Sequence, residues 1–430
     1  MPSTNNIFAN FRLLAIGRVF TALLNLTAIG MLSRALSLAE FGIVVLIHVY
    51  VLTVRGLVNV KPTLAVVRWG VPLQDNADKA NLKSLLALSS RLDWASAFLS
   101  VMVGVLFAPL MGYLMEWGSN STKYAMIFSL ILIMSGVGTA TGYLRLTDRW
   151  NLVAIQALIG PAIRVLAAVF GILYQASIGY FLVAWALSLA IEYLVMKLFA
   201  YQAYKEDQLS FGYKDAVSFS EFPGYFSFLG STYLQSILDL VPNRIITLMV
   251  GSSLGPESGG LFRAAREVSS VLSRPAEILR EVVFPDLTRL WDKDRPEFVF
   301  VVIKVCGVAG LIGSLFALLS LWFGQWLLTI LFGSEFGLAA ALLSLLLGAA
   351  GVDLAGSALR PAGYAMGRPI ALLVAQAIGA LTLVTAYYPL QSSFELMGAG
   401  IAVVLGVLVH SVGMAVVVVR GARFSARDIL

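Results

Sequence analysis

Apolar residues run along this chain in stretches of about twenty, separated by polar interruptions too short to hold a domain. A hydrocarbon core about 30 Å thick is crossed by about twenty residues of helix. The pattern therefore predicts spans near 13–33, 41–60, 94–115, 124–144, 151–173, 177–199, 223–250, 260–284, 298–320, 337–358, 370–390 and 396–419. The expected fold class is all-α, a polytopic membrane protein of about 12 transmembrane helices in two six-helix lobes around a central cavity. Residues 1–205 form the expected N-terminal lobe, 206–222 a cytoplasmic inter-lobe linker and 223–430 the C-terminal lobe. Two equal halves in one orientation fit a parallel repeat, an arrangement used by transporters that rock two bundles about a central site. In the polar stretch 61–92, the part from Ala80 to Leu92 predicts a short amphipathic helix lying at the interface.

Composition strengthens the membrane reading. The chain is 59% hydrophobic and only 13% charged, with mean hydropathy +0.86, whereas soluble domains carry about a quarter charged residues. Basic residues outside the spans crowd the segments between even and odd spans and the two ends, while the opposite loops hold only Arg34 and Lys123. This bias places both termini of a multi-pass protein in the cytoplasm, and it accounts for the net charge of +6 without a nucleic-acid partner. Cys306 is the only cysteine, and His48 and His410 are the only histidines. These exclude a disulfide framework, and they leave little from which to build a thiolate or imidazole metal site. No Walker sequence or glycosidase-like carboxylate pair appears, so the chain is not read as an enzyme.

Charges inside the apolar runs are the informative residues, because each costs about 2.5–3.5 kcal/mol at the bilayer centre and so faces a bundle interior or a wet cavity. The cations are Arg18, Arg55, Arg164, Arg244, Arg263, Arg266, Arg274 and Lys304, and the acids read at comparable depth are Asp239, Glu267, Glu277 and Asp353. In span eight, Arg263, Glu267, Ser270, Arg274 and Glu277 recur on one helical face. One account is a neutralised seam between helices. The other is surplus arginine facing water and meeting an anion, with forked guanidinium donors matched to phosphate oxygens. The excess of cations favours the second, with Arg18, Arg55, Arg164, Arg244, Arg263, Arg266 and Arg274 as candidate pyrophosphate or anion contacts. Asp239, Asp353 and His48 are candidate coupling groups for H+ or Na+, although each also reads as a counter-ion or a satisfied core residue. Pro161, Pro242 and Pro275 each remove a helical hydrogen bond and mark sites where a span could open toward a cavity.

Five segments in order, LSRALSLAEFG at 32–42, LRLTDRWNLVAIQALIGPAIR at 144–164, GLFRAAREVSSVLSRPAEILREVVFPDLTRL at 260–290, LFGSEF at 331–336 and AMGRP at 365–369, resemble the polysaccharide-transport flippases of the multidrug/oligosaccharidyl-lipid/polysaccharide exporter superfamily. The resemblance implies a flippase that moves an undecaprenyl-pyrophosphate-linked oligosaccharide repeat unit by alternating access for surface polysaccharide biosynthesis. It also implies a cationic cavity to which Arg18, Arg55, Arg244 and Arg263 or Arg266 would contribute. Expected partners are the lipid-linked oligosaccharide, membrane lipids, and the polymerase and glycosyltransferases of the same biosynthesis, with no cofactor beyond a coupling ion. Two competitors are a drug/cation antiporter of the same superfamily, expected to carry more carboxylate than arginine, and a membrane-embedded polysaccharide polymerase or ligase, expected to carry a large outer loop.

Overall fold

The computed structural model describes the backbone of residues 4–209 and 221–427; the side chains of 1–16 and 423–430, and a few within 275–292, lie outside the described residues. Every element among the described residues is helical. The α-helices are α1 (Thr4–Ala35), α2 (Leu38–Val58), α3 (Thr63–Asp75), α4 (Lys79–Leu114), α5 (Gly118–Leu130), α6 (Gly138–Leu146), α7 (Trp150–Leu173), α8 (Ile178–Glu206), α9 (Tyr225–Leu240), α10 (Ile246–Lys293), α11 (Arg295–Phe332), α12 (Ala340–Ala355), α13 (Leu359–Ala365) and α14 (Pro369–Arg427). Two short 3-10 segments, Ile131–Met134 and Ser334–Ala339, and a π-helical turn, Val241–Ile245, join some of them.

Nine stretches among the described residues are long and apolar enough to cross a membrane. Two of these, Tyr225–Arg274 and Pro369–Ala422, are 50 and 54 residues long, and at about 1.5 Å per residue each exceeds twice the hydrocarbon thickness. Each is interrupted where the backbone leaves helical geometry, at Gly255 (φ 81°) and Glu395 (φ 49°). Counting both twice and adding α1 recovers the expected twelve. Leucine, phenylalanine and tryptophan stand exposed along α4 and α11, including Phe98, Leu106, Leu311, Leu315, Trp322 and Phe323. Water would not tolerate such a surface, but acyl chains match it. The chain is a multi-pass membrane protein.

The chain forms two compact units, Met1–Leu240 and Val241–Leu430. Of the expected linker 206–222, residues 210–220 lie outside the described residues. α9, the start of span seven, falls in the first unit because it packs on α2 and α3.

In the first unit α2 is largely buried, capped at its start by a reciprocal box between Ser37 and Glu40. α1 lies along α7, and α3 lies along α6, where Gly142 leaves room for Val66. The expected interfacial helix at 80–92 is instead the start of α4, which runs unbroken from its Asp78 cap. The separate short helix is α3. Pro161 leaves α7 continuous, so no opening forms there. Span four does break, between the 3-10 turn and α6 at Ser135–Val137.

In the second unit α11 and α12 are held close by Gly313 against Gly351; a methyl on Gly313 would sit 2.5 Å from the Gly351 backbone. Val283, Leu287, Phe298, Val302, Ala358, Ala362 and Val418 form a core cluster joining α10, α11, α13 and α14. Each unit contains a short segment that resembles one in the other. α6 contains Gly142-Tyr143 and α13 contains Gly363-Tyr364; each is followed by a tight turn and a long helix carrying a buried glutamine, Gln156 in Val-Ala-Ile-Gln-Ala and Gln376 in Val-Ala-Gln-Ala.

Candidate functional site

A polar cleft of about 530 Å³ opens in the first unit. Its walls are the inner turn of α2, the start of α3, the break in span four with α6, and the last turns of α9. Arg55, Lys61 and Arg145 supply positive charge against the single carboxylate of Asp239, and Asn59, Gln235, Ser135, Ser236, Thr63, Thr141, Thr232 and Tyr233 add amides and hydroxyls. Such a lining has the chemistry to meet an oxyanion with its cations and a polyol with its neutral groups.

The walls are fixed by bonds that sequence alone does not reveal. Asn59, buried at the end of α2, donates to the Ser135 carbonyl (3.3 Å) and hydroxyl (3.0 Å), and Thr63 donates to the Gly138 carbonyl (3.0 Å). Tyr233 of α9 donates to the Leu57 carbonyl. From behind, the buried Asp93 of α4 accepts the Gly138 amide (3.2 Å) and the Thr139 amide (2.6 Å), the first donors of α6. Arg55 lies across the Tyr193 ring, 4.6 Å from its centroid, so its guanidinium is held in plane by a cation–π contact. One turn past Arg145, Arg149 clamps Asp207 with two bonds (2.6 and 2.9 Å) and Glu206 with a third (3.1 Å), while Tyr143 donates to the same Asp207 oxygen (2.5 Å). The Arg149 bonds hold the Asp207 carboxyl below the usual carboxylate range.

The predicted residues separate into several settings. Arg55 and Asp239 both line the cleft. Arg18 lies half-buried on α1. Arg164 bonds the Gly160 carbonyl (3.3 Å) and shares the space beside Gly160 with the Glu192 carboxylate. In the second unit Arg263 pairs with Glu267 (2.6 Å), Arg274 with Glu277 (3.4 Å), and Asp353 takes two bonds from Arg280 (2.6 and 2.7 Å). Arg266 donates to Asn243 (2.8 Å), which with Pro242 and Arg244 occupies the π-helical turn. Pro275 lies within α10, its side chain outside the described residues. His48 is buried edge-on to Phe128, at 6.0 Å between rings.

Residues 31–341 match the model of a family described as polysaccharide biosynthesis protein. The chain belongs to that family. It is 25% identical over 332 residues to the inner membrane protein YghQ of Escherichia coli strain K12, covering 77% of this chain and 93% of that protein. Its fold is shared with an inward-facing multidrug-resistance MATE transporter of the MOP superfamily, at TM-score 0.75 and 14% identity over 95% of each chain. The inward-closed lipid II flippase MurJ gives TM-score 0.68 and 12% identity over 94% of this chain and 86% of that one. Transporters and a flippase, not enzymes, carry this architecture.

For this polysaccharide biosynthesis protein the sequence reading missed several cleft builders. Asn59, Ser135, Thr141 and Gln235 are neutral and resemble ordinary packing residues. Lys61 and Arg145 were counted only as positive-inside charge, and Asp93 sits at a predicted span edge. Glu192 is a correction: it lies inside span six, so the count of acids at depth omitted one that faces Arg164. An acid in an apolar run was the available signal.

Proposed function

We propose that this protein translocates an undecaprenyl-pyrophosphate-linked oligosaccharide repeat unit across the bacterial inner membrane by alternating access, with both termini cytoplasmic. The cleft carries the reading: three basic side chains against one acid, interleaved with amides and hydroxyls, in a chain of a polysaccharide biosynthesis family with a transporter fold. Arg55, Lys61 and Arg145 receive the diphosphate, the neutral groups receive the first sugar, and the polyprenyl tail stays in lipid. Arg244 and Arg266, at the π-helical turn, are a second anion contact. Glycosyltransferases supply the lipid-linked unit and a polymerase consumes it. The same balance of charge opposes a cationic drug as cargo.

The test is glycan export in a strain lacking the chain and complemented by variants. R55A, K61A and R145A should each reduce surface polysaccharide at least tenfold, with the lipid-linked unit accumulating on the cytoplasmic leaflet and protein levels in the membrane unchanged. Normal export from all three would refute the assignment.

A further inference from the structure

Behind the cleft lies a group that its lining does not include. Asp93 is 3% exposed and ionisable, and it sits in α4, facing the point where span four loses its helix. Its two oxygens are divided between two amides: Oδ1 takes Gly138 N–H at 3.2 Å and Oδ2 takes Thr139 N–H at 2.6 Å. Gly138 is itself part of the cleft wall. The carboxylate therefore reaches the cleft through one backbone bond.

The surroundings are built for that contact. A methyl at Gly136 would lie 2.7 Å from the Asp93 carbonyl oxygen, and a methyl at Gly138 would meet Pro62 at 2.5 Å and Asp93 Oδ1 at 2.9 Å. Both positions are thus restricted to glycine by close approach of the backbone to Asp93 and to the α2–α3 connection. On the far side of the break, Asn59 holds Ser135. Asp93 and Asn59 together fix the three-residue gap Ser135–Val137, which lies outside both flanking helices. Charged and titratable groups face Asp93 from two further helices: Lys197 and Tyr204 of α8, and Tyr225 of α9. Lys197 also lies 4.5 Å from the Trp94 ring, and Tyr225 is hydrogen-bonded to Ser89 at 2.8 Å. Asn59, Ser135 and Pro62 complete the surroundings of the break.

We infer that Asp93 is the proton-binding site that couples this transporter, with its protonation state setting the geometry of the break and so of the cleft. As a carboxylate it accepts both amides and holds α6 against α4. A proton taken from water at Oδ1, the oxygen with the longer bond, turns that atom from acceptor to donor. The Gly138 amide is then opposed by an O–H, and the wall of the cleft releases at that residue. Loss of the proton restores both bonds. Each cycle takes up one proton on one side and releases it on the other, with no net consumption and no redox step. It rests on the transport reading above, but the coupling is tested without any substrate.

The experiment uses the full chain in native membranes with Cys306 replaced by serine and a single cysteine at Thr141 in the cleft. The rate of labelling by a water-borne maleimide is measured from pH 5 to 8 and divided by the rate for a cysteine placed at exposed Glu116, which removes the reagent's own pH dependence. The normalised rate should change at least threefold across a single titration. D93N keeps one acceptor and puts an amide donor against the second N–H, so it should stay at the low-pH value throughout. A pH-independent rate in the parent overturns the proposal, whatever the fate of D93N. An unshifted titration in D93N assigns it to another group and overturns it equally. Normal glycan export from a strain lacking the chain, with the titration intact in the parent protein, would count against the transport reading alone.

Discussion

Arg55 provides the sharpest test of the cleft. Its guanidinium is half-buried, stacked on Tyr193 and directed to a lining in which bases outnumber acids. A hydrogen bond to a charged group contributes about 1.5–3 kcal/mol, so losing one such contact to a diphosphate should weaken binding roughly 10- to 150-fold. R55K keeps the charge but neither the fork nor the flat stacking face, and should fall between wild type and alanine. The stacking is worth about 0.5–2 kcal/mol in the free protein, so a fall in melting temperature is expected for R55A and must be measured alongside. The assay is calorimetric titration of the purified protein with a short-chain prenyl pyrophosphate at low and high salt. Wild-type affinity should drop with ionic strength, and the drop should be smaller in R55A. Affinity within twofold of wild type in R55A, K61A and R145A alike would refute the placement of the diphosphate.

Three further outcomes follow from the packing. Asp207 titrates below the ordinary carboxylate range because Arg149 favours its charged form; its contribution is present above that range and lost as pH falls through the lowered value. Melting from pH 6 to 3 should therefore show an acid-side loss that D207N lacks. G313A drives a methyl into the Gly351 backbone and should cost about 1–3 kcal/mol, whereas G307A, with nothing near its added methyl, should be neutral in the same denaturation series. Breaking the partly buried Arg280–Asp353 pair by R280A should cost about 1.5–3 kcal/mol, and adding D353A should recover part of it, giving a measurable coupling in a double-mutant cycle.

Much of the fold was legible because lipid demands long apolar helices, and runs of twenty residues report them directly. The places where the chain departs from straight helices were not. Proline was the signal used, yet Pro161 is accommodated within α7 while the break in span four is made by Gly136 and Gly138 and held by Asp93. Proline removes one hydrogen bond that a bundle can replace, whereas close backbone approach needs glycine on one side and a partner on the other, and the partner is distant in sequence. The start of α4 was misread for a related reason: Ala80–Leu92 is amphipathic because its inner face packs within the unit, and periodicity alone does not distinguish that from a helix on the membrane surface. The two halves suggest a repeat by span number alone, because the only residue similarity between them is Gly-Tyr followed by a buried glutamine.

Charge at depth gave the transport reading its first support, and the pairing pattern changes what that charge means. The stripe on α10 looked like surplus arginine, but Arg263 and Arg274 each find a carboxylate three or four residues along the same helix. Local pairs of that kind form in any helix with the right spacing, so the stripe is close to neutral before any ligand arrives. Arg280, near the end of span eight, pairs with Asp353, one of the coupling candidates. The first unit differs. Its cleft gathers Arg55, Lys61 and Arg145 from three separate elements around one acid, and no helical periodicity brings them together. Charges gathered from separate elements by tertiary structure are not a product of local helix chemistry. An anion shared among the three is the reading proposed above, and on that reading the cleft rather than the stripe is where we place the diphosphate.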